Sequence, residues 1–200
     1  MRSLQGPLFA AALCLVTAGG AGALDVTVGH GEIERALAIA RASEAERARF
    51  HRRYIFPVSD ATVTQLEIIS EFRRFVIAGE DRLRHGDWMF TRGTHAAEQA
   101  LAPWRGLATI AVRLRFHPLN TYISVPPVEL TVGVKPVAVR TTPQFAVALP
   151  GQKNTATSLL GAVIEADFPT ASLGQTTRSI QVVLDGKELA KLTVDFAQIQ

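Results

Sequence analysis

From residue 108 onward the chain changes character at every second position. Ile110, Val112, Leu114 and Phe116 alternate with Ala111, Arg113 and Arg115, a period that suits an extended strand with one dry face and one wet face. The signature returns at Val128, Leu130 and Val132. The segments Val134–Arg140, Phe145–Leu149, Ala162–Phe168, Arg178–Leu184 and Leu189–Phe196 also read as strands between turn residues. About seven short strands at this spacing predict a mainly β chain, an antiparallel β-sandwich with a short N-terminal helical segment packed against it.

Parity makes the pairing expectations specific. A turn at His117-Pro118-Leu119-Asn120 that pairs His117 with Tyr122 sets Phe116 against Ile123 and Leu114 against Val125, apolar against apolar. Pro126-Pro127 then interrupts the returning strand and predicts an edge, a bulge or a switch between sheets. At Asp185-Gly186 a two-residue loop would put Ile180 opposite Lys191. A three-residue loop, Leu184-Asp185-Gly186, restores the facing by pairing Ile180 with Ala190.

Before residue 58 the period is helical. Ile33, Leu37 and Ala40 share one face of Gly31–Arg41, and Ser43 with Glu46 has the form of a capping box that opens a second helix over Ser43–Tyr54, with Phe50 and Tyr54 as its apolar stripe. Residues 63–78 fit both periods. The β-branched opening Val63-Thr64 and the pair Ile68-Ile69 favour a strand there. A more polar connection follows, with a short helix over Thr94–Leu101 closed by Pro103.

The first 23 residues read as a secretory signal peptide, with Arg2 as the positive start, Leu8–Val16 as the apolar stretch and Ala21-Gly22-Ala23 as the cleavage site. Gly19, Gly20 and Gly22 stop that run short of the ~20 apolar residues that a membrane anchor needs. The organisation expected is therefore 1–23 leader, 24–57 helical segment and 58–200 β-sandwich, in a periplasmic or secreted protein. The one cysteine, Cys14, leaves with the leader, so the mature chain has no disulfide, thiolate ligand or thiol nucleophile. Net charge is +3, or +2 once Arg2 is removed, and the fourteen arginines between Arg35 and Arg115 are interleaved with acids. That pattern reads as a solvated, salt-bridged surface and calls for no nucleic-acid partner.

No catalytic, metal or cofactor signature emerges. His30, His51, His85, His95 and His117 show no metal-ligand spacing, and no Gly-x-Ser-x-Gly elbow surrounds any serine. Glu67 and Glu71, on one side of the expected strand, would stand roughly 13 Å apart at ~3.3 Å per residue, too far to act as an acid pair. Gly29 and Gly31 before a helix could receive an anion on free N–H groups, although its preferred reading is a plain helix start. Trp88 and Trp104 read as closing the end of a core, and His85–His95 as a lid over it. That stretch is also the place where function on a β scaffold usually resides.

The expectation drawn is a noncatalytic binding or structural module of the cell envelope, recruiting an envelope protein through the strand edge beside Pro126-Pro127. Two alternatives accompany it: an extracytoplasmic hydrolase with a His/carboxylate site in the 85–106 connection, and an envelope assembly subunit. A pocket joining His85, Asp87 or His95 to Glu67 or Glu71 would favour the hydrolase.

Overall fold

The computed structural model describes residues 28–133, 135–146, 158–174 and 176–199. The leader with Cys14 and the strand expected through 147–149 lie outside these residues. Two antiparallel sheets account for the β structure. One has five strands, β1 (Ile55–Pro57), β2 (Val63–Ile69), β3 (Leu107–Arg115), β7 (Leu159–Pro169) and β6 (Arg140–Phe145), in the order β1-β2-β3-β7-β6. The other has four, β4 (Val128–Val132), β5 (Lys135–Val137), β8 (Thr177–Leu184) and β9 (Lys187–Asp195), in the order β5-β4-β8-β9.

Alternation decides what is buried. Ile110, Val112 and Leu114 of β3 join Leu66 and Ile68 of β2 and Ile164 of β7 in one apolar cluster, which also holds Leu130, Ile180, Val182 and Val194 from the four-stranded sheet. Each fully buried side chain of this size contributes roughly 1.5–3 kcal/mol, and the cluster ties both sheets to one core. The chain passes between the sheets three times: from β3 to β4 through Pro126-Pro127, from β5 to β6, and from β7 to β8 through α5 (Thr170–Leu173).

The helices form a second cluster. Ile33, Ala36, Leu37 and Ala40 of α1 (His30–Ala40) pack with Phe72, Phe75 and Val76 of α3 (Glu71–Arg84) and with Ala97 of α4 (His95–Leu101). The second helix, α2 (Glu44–Arg52), starts at the capping box its sequence announces: Ser43 Oγ accepts from Glu46 N–H at 3.3 Å, and Glu46 accepts from Ser43 N–H at 3.0 Å. Phe50 of α2 packs against both clusters and touches Tyr54 and Phe72.

The described residues hold nine strands where about seven were expected, and three local expectations also need correction. Residues 63–78 are strand and then helix. Ser70 ends the extended run by accepting from Arg73 N–H at 3.2 Å as an N-cap, and Phe72, Phe75 and Val76 fall at the i, i+3, i+4 spacing of one helical face. No hairpin pairs 117 with 122, because both edges of β3 are filled by β2 and β7 along most of its length; the Phe116 N–H donates to Leu160 O instead. The loop between β8 and β9 has two residues, with Asp185 at φ 48° and Gly186 at φ 76°, the left-handed pair that a type I′ turn requires. The facing of the strands is restored by a bulge between Val182 and Val183, which leaves Ile180 opposite Leu192 with the parity intact.

Candidate functional site

Three polar regions lie outside the main core. The first joins α2 and α3 to β2. The buried Arg73 side chain donates from Nη1 to Ile68 O (2.6 Å), from Nη2 to Glu67 and from Nε to His51 Nδ1 (3.2 Å), with its guanidinium 4.9 Å from the centre of the Tyr54 ring. Since Nδ1 accepts, the proton of His51 sits on Nε2, which donates to Glu80 at 2.9 Å. Burial pulls the Arg73 guanidinium below its ordinary range while Glu67 works against that, and burial pushes the Tyr54 phenol up. Every group here has a partner, as expected of a joint that holds two layers together.

The second lies on the outer face of the five-stranded sheet. Arg74 Nη2 donates to Thr109 Oγ1 at 2.6 Å, Thr109 donates to Asp167, and Arg140 pairs with Asp167. Trp104 stacks under both cations, 4.0 Å from the Arg74 guanidinium and 5.8 Å from that of Arg140. Burial disfavours ionisation of Asp167, but the bonds from Arg140 and Thr109 and the charges of Arg140 and Arg74 outweigh it and hold the carboxyl below its usual range. Arg74 Nε is the one buried atom of this group left without a partner among the described residues.

The third region is the outer face of the helical layer, and it differs from the other two. A 3-10 turn, Trp88–Thr91, is opened by Asp87, whose carboxylate accepts from Phe90 N–H. Consecutive residues of so tight a turn point in different directions. Phe90 enters the helical core at 4% exposure, while Trp88 and Met89 stand 63% and 69% exposed. Two clefts flank this turn. One, of about 450 Å³, is lined by Arg35, Arg41, Arg92, Gly93 and Thr94; the other, of about 330 Å³, by Arg41, Arg47, Arg84, Glu80 and Trp88.

Arg41, at the C-terminal end of α1, belongs to both clefts. Of the acids nearby, Glu80 is committed to Arg47 and His51, Asp81 to Arg84 and Asp87 to Arg82, while Glu34, which lines the first cleft with Arg41 and Arg92, stands 3.4 Å from His30. Among the described residues Arg41 and Arg92 have no carboxylate within ion-pair distance. This face therefore presents two apolar side chains and two arginines outside any ion pair to water, and it is the candidate site.

The residues singled out in the sequence are scattered. Glu67 and Glu71 stand on different elements; Glu71 is buried and accepts from Arg105 Nη1 and from Gly106 N–H, each at 2.7 Å. His85 bonds to Asp81 O, His95 is exposed at the start of α4, and Asp87 serves as a cap. None of these five lines either cleft. His30 approaches Thr94 Oγ1 at 2.8 Å and His117 Nδ1 accepts from Leu119 N–H at 3.1 Å. The N-terminus of α1 is closed by its own Glu32, which accepts from Gly29 N–H at 2.9 Å. The reading of two tryptophans over a core end fails for Trp88, which points into water, and the lid over the core reduces to Phe90 and Thr91. At Pro126-Pro127 the chain switches from the five-stranded to the four-stranded sheet, one of the three outcomes expected there; β4 pairs with β8 from Val128 onward but with β5 only over Leu130, Thr131 and Val132, so Val128 and Glu129 beside the prolines have a strand partner on one side alone among the described residues.

Sequence reading missed the cationic face because Arg41, Arg84 and Arg92 come from three separate segments. The run Trp88-Met89-Phe90 was its one visible signal. No protein-family model, curated protein or solved structure matches the chain.

Proposed function

We propose that this chain is an exported, noncatalytic binding module of the cell envelope, a β-sandwich whose helical layer carries the binding face. The observation that supports this reading most is the exposure of Trp88 and Met89 beside Arg41 and Arg92. Trp, Met and Arg are the residue types enriched at the cores of interfaces, and large apolar groups held in water on an ordered turn have a cost that burial against a partner would recover. Phe90 alone would anchor the turn, so packing does not require apolar residues at 88 and 89. The hydrolase alternative gains no support, since His85, Asp87 and His95 lie apart from Glu67 and Glu71.

The test is retention by isolated envelope. The chain from residue 24 onward, which contains every described residue, should co-sediment with envelope, and the double variant Trp88→Ala/Met89→Ala should not, while Arg140→Ala on the opposite network should behave as wild type. Equal retention of all three removes the reading.

A second reading, the assembly subunit, is favoured by one observation. Leu119 and Ile123 are 84% and 93% exposed on the loop that follows β3. Self-association through this loop would give concentration-dependent mass in analytical ultracentrifugation, abolished by Leu119→Ser/Ile123→Ser. A constant monomer mass rules it out.

A further inference from the structure

Resting on the binding face proposed above, we infer that its partner is a bilayer surface bearing anionic headgroups, with Trp88 and Met89 entering the interfacial region while Arg41 and Arg92 meet lipid phosphates. The shape of the site argues for this occupant. Trp88 and Met89 sit on the crest of a turn, and the arginine-lined clefts lie beside it rather than beneath it. A polyanion that tracks a cationic groove gains from stacking on an aromatic but gains nothing from an exposed methionine. A bilayer gains from both, because the indole favours the headgroup boundary and the thioether the acyl region just below it.

Charge complements the apolar crest. Asp81, Asp87 and Glu80 are each paired with an arginine within the face, while Arg41, at the end of α1, and Arg92, immediately after the 3-10 turn, line one cleft with Arg35 and a single carboxylate, Glu34, which leaves that cleft net positive. Phosphate of either a lipid or a free solute would satisfy them, and the apolar crest decides for the lipid. Attachment by such a turn is peripheral. Among the described residues no helix is long and apolar enough to cross a membrane.

The face is built to survive insertion. Phe90 fixes the turn in the helical core, Thr91 Oγ1 bonds to Trp88 O at 3.2 Å, and the Arg82 guanidinium lies 5.2 Å from the Phe90 ring centre, so the crest is presented by an ordered support. Substituting the crest residues leaves this support in place.

The experiment uses the chain from residue 24 onward with phosphatidylcholine vesicles prepared with and without phosphatidylglycerol. After Cys14 the sequence has no cysteine, so Met89→Cys takes a single environment-sensitive fluorophore. Expected are sedimentation with the phosphatidylglycerol vesicles and quenching of the label by lipids brominated near the top of the acyl chain. Partitioning should fall roughly fivefold for each of Arg41→Ala and Arg92→Ala and about tenfold or more for Trp88→Ala/Met89→Ala. Absence of vesicle binding, binding unaltered by these substitutions, or an unquenched label overturns the lipid assignment. A heparin column separates the bilayer from the binding face. Retention on heparin that depends on Arg41 and Arg92 but without vesicle binding overturns the bilayer and leaves the binding face standing; envelope retention untouched by all four substitutions overturns both.

Discussion

Arg73 Nε donates to His51 Nδ1 at 3.2 Å, and this one bond fixes the imidazole tautomer and ties α2 to the junction between β2 and α3. The guanidinium also closes the end of β2 by bonding Ile68 O, so its three functions meet in one buried side chain.

Arg73→Ala is therefore expected to destabilise the fold by about 3 kcal/mol, because it removes the side-chain donor to Ile68 O and takes one partner each from Glu67 and His51 in a buried network. Arg73→Lys should recover little of this, since an ammonium cannot match a fork that meets three acceptors in different directions. Glu67→Gln should cost less than Arg73→Ala, as Glu67 retains partial access to water. Urea unfolding of the three variants gives the order, and a smaller loss for Arg73→Ala than for Glu67→Gln contradicts it.

Close approach makes two glycines irreplaceable. A Cβ on Gly79 would lie 2.7 Å from Ala40 Cβ, where α1 and α3 cross, and one on Gly161 would collide with the carbonyl oxygen of Leu114 across the β3–β7 ladder. Gly79→Ala should cost about 1–3 kcal/mol by overpacking. Gly161→Ala should cost more, because the obstacle is backbone in the middle of a sheet. Thermal melts that show either variant as stable as wild type would refute the packing described.

Acid stability should depend on two aspartates. Hydrogen bonds from the Val63 and Thr62 N–H groups to Asp60, at 2.8 and 2.7 Å, outweigh its desolvation and hold the carboxyl below its usual range, and Asp167 is held low by Arg140 and Thr109 against the opposing effect of burial. Both folded values lie below the unfolded value of about 3.9. Their stabilising contribution is therefore fully present above that value and is lost as the pH falls through the folded values. Asp167→Asn should flatten this acid limb while lowering stability at neutral pH. An acid unfolding curve as steep in Asp167→Asn as in wild type would show that the carboxylate contributes nothing to it.

The β layers were the most legible part of the sequence. Alternation identified β3, β4, β7, β8 and β9 because each has one face in the shared core. It could not identify partners, since β3 pairs with β2 across the helices of residues 71–104 rather than with the segment next in sequence. Residues 63–78 were ambiguous because Leu66 and Phe72 satisfy either period, and the arbiter, the Ser70 cap, is a hydrogen bond rather than a hydropathy pattern. At β8–β9 the apolar facing that parity requires is kept by a bulge in place of a longer loop. As for the candidate site, Trp88-Met89-Phe90 reads as uniformly apolar, and only the 3-10 geometry sends one ring inward and leaves the two residues before it in water.

Hydrogen–deuterium exchange of the chain with and without isolated envelope tests the central claim, that binding resides on the helical face, most directly. Amides of 88–93, together with those at the end of α1 near Arg41, should gain protection on addition of envelope, while β6 and β9 exchange as before. Protection confined to the β6 or β9 edge, or none at all, would contradict it.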